Sequence, residues 1–248
     1  MSPPPLSAPR TAAAKARRGG ARSRPRATLP RARQTAPASA DQDGRQRILS
    51  VAIRSFADRG YDGTTTAGVA RDAAVTQPLV HHHFGSKDGL WRAAMDAVFS
   101  NAARVGDVPA DASPRDQLLA ITERFVRFAA AHPEATRVMG REGATPSPRL
   151  TYLVDHYLRE PFQRLAAVTR AGQRTGVVAA DLRPDLLLFL ILGAGSHLFD
   201  ATALARESLG IDAAAPSTQN QFVALVERLL TQGVIRQSPQ PRRTKEHS

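Results

Sequence analysis

The stretch from Arg45 to Trp91 constrains the fold of this chain more than any other part of the sequence. Its first part, about Gln46 to Arg59, places apolar residues at i, i+3, i+4, i+7 and i+8, the pattern of a helix with one buried face. Gly60 can end this helix because glycine adopts the left-handed conformation at no steric cost. The buried stripe is predicted to consist of Leu49, Ala52, Ile53, Phe56 and Ala57.

Two shorter helices are predicted directly after the first. One runs from about Ala67 to Ala73, and the hydroxyls of Thr65 and Thr66 can cap its free N–H groups. The next runs from about Gln77 to His83, with Pro78 in its first turn, where a missing N–H is tolerated. This second short helix carries mostly polar groups and would gain little from burial. Such a pair is typical of the helix-turn-helix, whose second helix lies in the major groove of DNA.

This segment resembles the DNA-binding domain of the tetracycline-repressor (TetR) family of bacterial transcriptional regulators. The likeness covers about Arg45 to Val98 at the family's spacing. Two departures are visible: His81-His82-His83-Phe84 stands where the family most often has a run such as Tyr-His-Tyr-Phe, and Ala74 stands where glycine is usual. The candidate DNA-contacting residues are Thr65, Thr66, Gln77, Pro78, Leu79, His81, His82, His83 and Lys87.

These candidates divide into groups that meet base edges and groups that meet phosphates, and only the former carry sequence information. Gln77 can donate and accept at a base edge, with adenine as its best partner, and Pro78 and Leu79 can contact a thymine methyl. The resemblance implies phosphate contacts for His81, His83 and Lys87. The alternatives to DNA contact are that the two threonines only cap a helix and that the histidines are only polar surface groups.

The three consecutive histidines are not expected to form a metal site. Neighbouring residues on a helix do not face one another, and paired metal-binding histidines on a helix need i, i+4 spacing. The chain also contains no cysteine, which excludes disulfides, thiol nucleophiles and cysteine-ligated zinc. We find no glycine-rich phosphate loop, nucleophile elbow or paired metal spacing, so neither an enzyme nor a cofactor is predicted.

The net charge of +12 is confined to the two ends of the chain. Residues 1–40 carry +9 and residues 236–248 carry +3, so residues 41–235 are neutral and do not by themselves indicate DNA binding. The first 40 residues are rich in proline, alanine and arginine and are predicted to be disordered. They are either a basic arm that adds phosphate or minor-groove contacts, or a solvated tail; an amphipathic targeting peptide is disfavoured by the prolines.

The remainder predicts an all-α fold with four domain-level segments. These are a tail (1–40), a three-helix helix-turn-helix domain (41–88), a helical effector-binding and dimerisation domain (89–235) and a basic C-terminal tail (236–248). The apolar run from Leu186 to Gly195 is about half a membrane span and indicates a buried helix. With no signal peptide visible, a cytoplasmic protein without a membrane segment is predicted.

The six later helices are predicted from Ser86 to Arg104, from Ser113 to His132, from Pro133 to Met139, from Arg149 to Thr175 with a bend at Pro161, from Pro184 to Ser208, and from Gln219 to Gln232.

The last two helices present more apolar surface than one subunit can cover, which predicts a symmetric dimer. Gly193, Ala194 and Gly195 would let another helix approach closely. The resemblance implies dimerisation through these helices as a four-helix bundle, and a small-molecule pocket among helices four to eight. Few polar groups are available there, so a largely apolar effector is predicted. The candidate ligand contacts, each of which could instead be an ordinary core or surface residue, are Tyr152, His156, Tyr157, Thr169, His197 and Asp200.

The sequence therefore predicts a homodimeric, ligand-responsive transcriptional regulator that binds a double-stranded, pseudo-palindromic operator with half-sites about 34–36 Å apart or somewhat more. That it represses transcription is implied by the resemblance alone, and an activator on the same fold stays open. A helical partner-binding protein with a degenerate DNA head is the other alternative, because the head segment carries no excess positive charge.

Overall fold

The computed structural model describes residues 37–100 and 102–234, and within these ranges it contains helices and no β-strand. The predicted all-α fold is confirmed. The predicted basic segments 1–40 and 236–248 lie outside the described residues, except for 37–40, which already belong to the first helix. The helices are α1 (Pro37–Gly63), α2 (Thr66–Asp72), α3 (Gln77–Phe84), α4 (Lys87–Phe99), α5 (Pro114–Ala131), α6 (Pro133–Glu142), α7 (Pro148–Leu153), α8 (Arg159–Arg174), α9 (Pro184–Asp200), α10 (Thr202–Leu209) and α11 (Pro216–Gly233), with a 3₁₀ turn at Ala102–Val105 and a π-helical segment at Val154–Leu158.

Helices α1 to α4 form the head of the molecule around one apolar core. Phe56 of α1, Val69 of α2 and Val80 of α3 are fully buried there with Leu90 and Trp91 of α4. Each of the two short helices contributes one or two buried residues, so they are stable only because they pack on α1 and α4. This packing holds α3 in a fixed orientation on the head.

The regular first helix breaks at Gly60, as the sequence predicted. Gly60 adopts a positive φ of 71°, outside the helical region, and a short helical segment follows this kink to Gly63. The buried hydroxyl of Thr64 donates to the carbonyl of Gly60 at 2.8 Å, and the guanidinium of Arg141 in α6 donates to the carbonyl of Asp58 at 3.1 Å. The kink therefore leaves carbonyl groups of α1 free to accept a hydrogen bond from α6, which belongs to the helical body that follows the head (α5–α11).

The turn between α2 and α3 is unusually tight. The N–H of Val75 donates to the carbonyl of Ala70, and the N–H of Ala74 donates to that of Arg71, which is the hydrogen-bond pattern of a Schellman motif. This motif needs a left-handed residue, and Ala74 is the only non-glycine of the described residues with a positive φ, at 54°. The alanine that departs from the family's usual glycine therefore occupies a strained position.

Replacing Ala74 with glycine is expected to raise the free energy of unfolding by about 0.5–1 kcal/mol, because glycine adopts this conformation without a clash of its Cβ. Ala74 is exposed, so little packing is lost. Urea denaturation measures the change. Ala97→Gly, at an exposed α4 position, is the control and should lower stability by up to about 1 kcal/mol. An equal loss in both variants would show that Ala74 is unstrained.

Three helices predicted as continuous are interrupted in the structure. The fourth stops at Phe99 and is followed by the 3₁₀ turn at Ala102–Val105. The predicted seventh helix widens into the π-helical segment just before Pro161, which has no N–H to donate to the carbonyl of Tyr157. The predicted eighth helix divides into α9 and α10, which meet at an angle of 66°. The prediction of a single helix from Pro184 to Ser208 was therefore wrong.

The body packs in two further cores. One lies between α5, α8 and α9, and the other joins the ends of α5, α9 and α11. The predicted close approach occurs at Gly195, where an added Cβ would lie 2.9 Å from the Cδ1 of Phe125, whereas Gly193 faces open space. No single described helix has the length and apolarity to span a membrane; the bent pair of α9 and α10 meets that criterion only when the two are taken together.

Candidate nucleic-acid interface and effector cavity

Helix α3 presents one polar face to solvent. Val80 anchors the helix in the head core with 1% of its surface exposed, while Gln77, Pro78, His81 and His82 are exposed. Pro78 stands in the first turn, as predicted from its missing N–H. The residues that the sequence singled out at the start of α3 are therefore accessible to a ligand as large as duplex DNA.

The amide of Gln77 lies between two neighbours on the exposed surface. Its Nε2 is 3.5 Å from the hydroxyl oxygen of Thr66 on α2 and 3.5 Å from Nε2 of His81. The other ring nitrogen of His81 lies 3.2 Å from the carbonyl oxygen of Gly85. These contacts are long and solvent-exposed, so the amide can exchange them for a base edge at small cost.

Other residues predicted to contact DNA already have partners within the protein. The hydroxyl of Thr65 accepts from the N–H of Gly68 at 3.0 Å and caps α2. Leu79 is half-buried against the head core, beside Gly44. The ammonium of Lys87 lies 4.3 Å from the ring centroid of Tyr61, a cation–π contact. Thr65 and Lys87 thus each have an intramolecular role beside the predicted phosphate contact.

His83 differs from its two neighbours because its side chain is only 7% exposed. Its Nε2 lies 3.3 Å from a carboxylate oxygen of Asp41, at the start of α1, and makes no hydrogen bond of suitable geometry. Sequence reasoning had not included Asp41, because nothing in the local pattern shows that the first turn of α1 reaches the end of α3.

The body contains an apolar cavity between α4, α5, α8 and α9. Its volume is about 50 Å³, so the cavity is narrow. The only hydroxyl on its described lining belongs to Tyr157. The lining residues are Phe99, Ala102, Val105, Ile121, Phe125, Phe128, Met139, Tyr157, Leu158, Pro161, Phe162, Leu165, Leu188, Ile191 and Leu192.

Two tyrosines connect this region to α4 through one carboxylate. The hydroxyl of Tyr152 donates to Oδ1 of Asp96 at 2.7 Å, and the hydroxyl of Tyr157 donates to the same oxygen. Burial, followed by the hydrogen bond to Asp96, raises the pKa of both tyrosines above the ordinary value, so both remain neutral donors at physiological pH. Tyr157 therefore touches the cavity with its ring and α4 with its hydroxyl.

The other predicted ligand contacts do not line this cavity. Thr169 is fully buried, and its hydroxyl donates to the carbonyl of Leu165 at 2.8 Å. His156 is exposed and stacks on Tyr152, with ring centroids 4.1 Å apart. His197 is exposed on α9, and Asp200 accepts a hydrogen bond from Thr136. Of the six candidates, the structure places only Tyr157 at the cavity.

The exposed large apolar residues of the described chain are concentrated on its last three helices. Phe189 on α9 is 68% exposed, and Leu229 on α11 is 59% exposed. Helices α9 and α11 contact each other, so much of this apolar surface lies on neighbouring elements. The full set is Leu186, Phe189, Leu190, Leu204, Leu209, Leu225 and Leu229.

A helix-turn-helix with an exposed polar second helix, joined to a helical body with an apolar cavity, defines a DNA-binding regulator. Comparison with known proteins agrees. The family model described as bacterial regulatory proteins, tetR family, matches residues 48–94, and the model of the tetracyclin repressor-like C-terminal domain matches residues 114–237. The protein belongs to the TetR family of bacterial transcriptional regulators, a family of regulators rather than enzymes.

Individual relatives show the same relationship. The chain is 28% identical over 150 residues to the HTH-type transcriptional repressor SCO4008 of Streptomyces coelicolor, a match that covers 58% of this chain and 73% of that one. It is 38% identical over 80 residues to the HTH-type transcriptional regulator BetI of Burkholderia ambifaria, covering 31% and 41%. The ketosteroid transcriptional regulator KstR2 of Mycobacterium tuberculosis has the same fold, with a TM-score of 0.60, 21% identity and coverage of 78% and 95%.

Proposed function

We propose that this regulator is a cytoplasmic homodimeric repressor that leaves its operator when a largely apolar small molecule enters the cavity. Under this proposal, α3 of each subunit occupies the major groove of one half-site of a pseudo-palindromic operator. The base edges are read by Gln77, Pro78 and Leu79, and the phosphates are contacted by Thr65, Thr66, Lys87, His81 and His82. His83 was predicted to contact a phosphate as well, but its side chain is too buried to do so.

The observation that carries the effector response is the position of Tyr157. Its ring lines the cavity and stacks on Phe99 of α4, with centroids 5.5 Å apart, while its hydroxyl donates to Asp96 on the same helix. Only two residues separate the end of α3 from the start of α4. A ligand that moves the Tyr157 ring therefore acts on the helix that leads to the recognition helix.

The chemistry of the cavity supports an apolar effector. Its described lining offers one hydroxyl, which is already engaged with Asp96, and no charged side chain. A charged ligand would lose its hydration without receiving a counter-charge, and that loss is costly. An apolar effector agrees with the similarity in fold to KstR2, a ketosteroid transcriptional regulator.

Genome-wide mapping of the DNA bound by this protein, followed by gel shifts on the recovered sites, tests the proposal. We expect a small number of palindromic sites in promoter regions, transcription that rises when the gene is deleted, and release of the protein by an apolar compound. Transcription that falls on deletion would contradict repression, and an effector that is small and highly charged would contradict the apolar cavity as its site.

Once an operator and an effector are known, Tyr157→Phe tests the coupling. This variant keeps the ring in the cavity wall but removes the hydrogen bond to Asp96. We expect the effect of the ligand on operator affinity to fall by about 5- to 10-fold, because one hydrogen bond to a charged group contributes about 1.5–3 kcal/mol and only part of it is coupled to the ligand. Fluorescence anisotropy of labelled operator, with and without ligand, measures the change.

Tyr152→Phe is the matched control for this experiment. It removes the other hydroxyl that donates to Asp96, but Tyr152 does not line the cavity. The ligand response of this variant should stay within about twofold of the wild type, since equilibria shift only through groups that interact differently in the two states. Equal losses in both variants would show that Asp96 supports the fold and does not transmit ligand binding.

A further inference from the structure

Asp41, His82 and His83 form a cluster at the edge of the head. The proposed DNA contacts do not explain why these three side chains lie together. The first residue lies in the first turns of α1 and the other two near the end of α3. One ligand atom from each, a carboxylate oxygen or a ring nitrogen, lies within 4.8 Å of the other two. The i, i+4 spacing rule concerns two ligands on one helix, whereas the third group of this cluster comes from α1.

The separation between His83 and Asp41 is close to that of two ligands of one metal ion. Nε2 of His83 is buried and makes no hydrogen bond, although a carboxylate oxygen of Asp41 lies only 3.3 Å away. A buried polar atom without a partner is destabilising unless something else satisfies it. Two ligands of a tetrahedral zinc ion, at about 2.0–2.2 Å from the metal, are separated by roughly 3.4 Å.

The third group can join with little movement. The rings of His82 and His83 have centroids 5.2 Å apart and stand edge to face, so both histidines lie on the same side of the end of α3. His82 is exposed, and a small rotation of its side chain does not disturb the core. The site is open to solvent at Asp41 and His82, which leaves an entry path and room for a water molecule as a fourth ligand.

We propose that Asp41, His82 and His83 bind one divalent transition-metal ion of the borderline class, of which Zn²⁺ is the representative. Two imidazoles and one carboxylate suit zinc, cobalt or nickel, whereas Mg²⁺ and Ca²⁺ prefer all-oxygen sites. The ion fastens the first turns of α1 to the end of the recognition helix. Metal binding is a property of the free protein and does not rest on the proposed repressor function.

Titration of the untagged full-length protein with Zn²⁺ by calorimetry, in the absence of DNA, tests this site. We expect one Zn²⁺ per chain and an increase in melting temperature of several degrees at saturation, because an ion that binds only the folded state stabilises it. Asp41→Ala and His82→Ala each should weaken Zn²⁺ binding by at least about 10-fold and remove the thermal stabilisation. Both positions are exposed, so neither change removes buried packing.

Asp43→Ala is the matched control, because Asp43 is an exposed acid in the same part of α1 but is not part of the cluster. It should bind Zn²⁺ with the affinity of the wild type. The proposal is overturned if the wild type binds no Zn²⁺ at millimolar concentration, or if Asp41→Ala or His82→Ala binds it as tightly as the Asp43→Ala control does. Failure to find an operator would leave each of these results unchanged.

Discussion

Replacement of Gln77 by alanine is expected to weaken operator binding at least about 30-fold, while affinity for unrelated DNA stays within about twofold. A bidentate contact between an amide side chain and a base contributes about 1–3 kcal/mol of discrimination, and a dimer makes the contact twice. The amide is exposed and already oriented by Thr66 and His81, at 3.5 Å from each. Removing it therefore deletes the proposed base contact without changing the fold of the head.

Anisotropy titrations on the operator and on a scrambled duplex measure this effect. Gln163→Ala removes an exposed glutamine of α8, far along the chain from the head, and is the matched control with unchanged affinity. The dependence of affinity on salt should be unchanged in the Gln77 variant, since glutamine neutralises no phosphate. A weaker salt dependence, or an equal loss of affinity for both duplexes, would show that Gln77 contacts the DNA backbone and not a base.

Phe189→Glu is expected to convert the dimer to monomers at micromolar concentration and thereby to abolish detectable operator binding. Phe189 is 68% exposed in the single chain, among other exposed apolar side chains of α9 and α11. In a twofold-symmetric interface the substitution buries two carboxylates without counter-charges, a cost of several kcal/mol. A monomer reaches only one half-site and loses the second set of contacts.

Sedimentation velocity and light scattering measure the oligomeric state across a concentration series. Ala167→Glu places the same charge at an exposed position of α8 and is the control that should remain dimeric. Circular dichroism should show the same helix content in both variants. A Phe189→Glu protein that stays dimeric would move the interface away from this part of α9.

The head is where the sequence was most informative. The starts of α2, α3 and α4 each follow a Ser or Thr, and in α2 and α4 the side chains of Thr65 and Ser86 cap the helix as that pattern predicts. Ala52, Phe56 and Ala57 of the predicted stripe are buried, whereas Leu49 and Ile53 are only partly buried. Ile48, which the predicted stripe did not include, is fully buried. These features depend on residues close together in the chain, and for that reason periodicity and capping rules could place them.

Two parts of the sites depend on contacts that no local pattern encodes. Tyr152 and Tyr157 are five residues apart. On a regular α-helix this spacing would place the two side chains on different faces. The wider π-helical turn instead brings both hydroxyls to Asp96. Asp41 meets His83 only because α1 begins earlier than its apolar stripe indicates. Only Tyr157 of the predicted ligand contacts lines the cavity. The prediction was based on polar side chains, whereas the cavity is lined almost entirely by apolar ones.

The packing of Phe125 against Gly195 links two properties that are usually considered separately. The Phe125 ring lines the cavity and leaves no space for even one methyl group between itself and α9. A molecule that pushes this ring toward α9 has to move α9, and in a dimer built on α9 that movement alters the subunit interface. Occupancy of the cavity and self-association then form one thermodynamic cycle, so the amount of regulator in the cell becomes part of the threshold at which it responds.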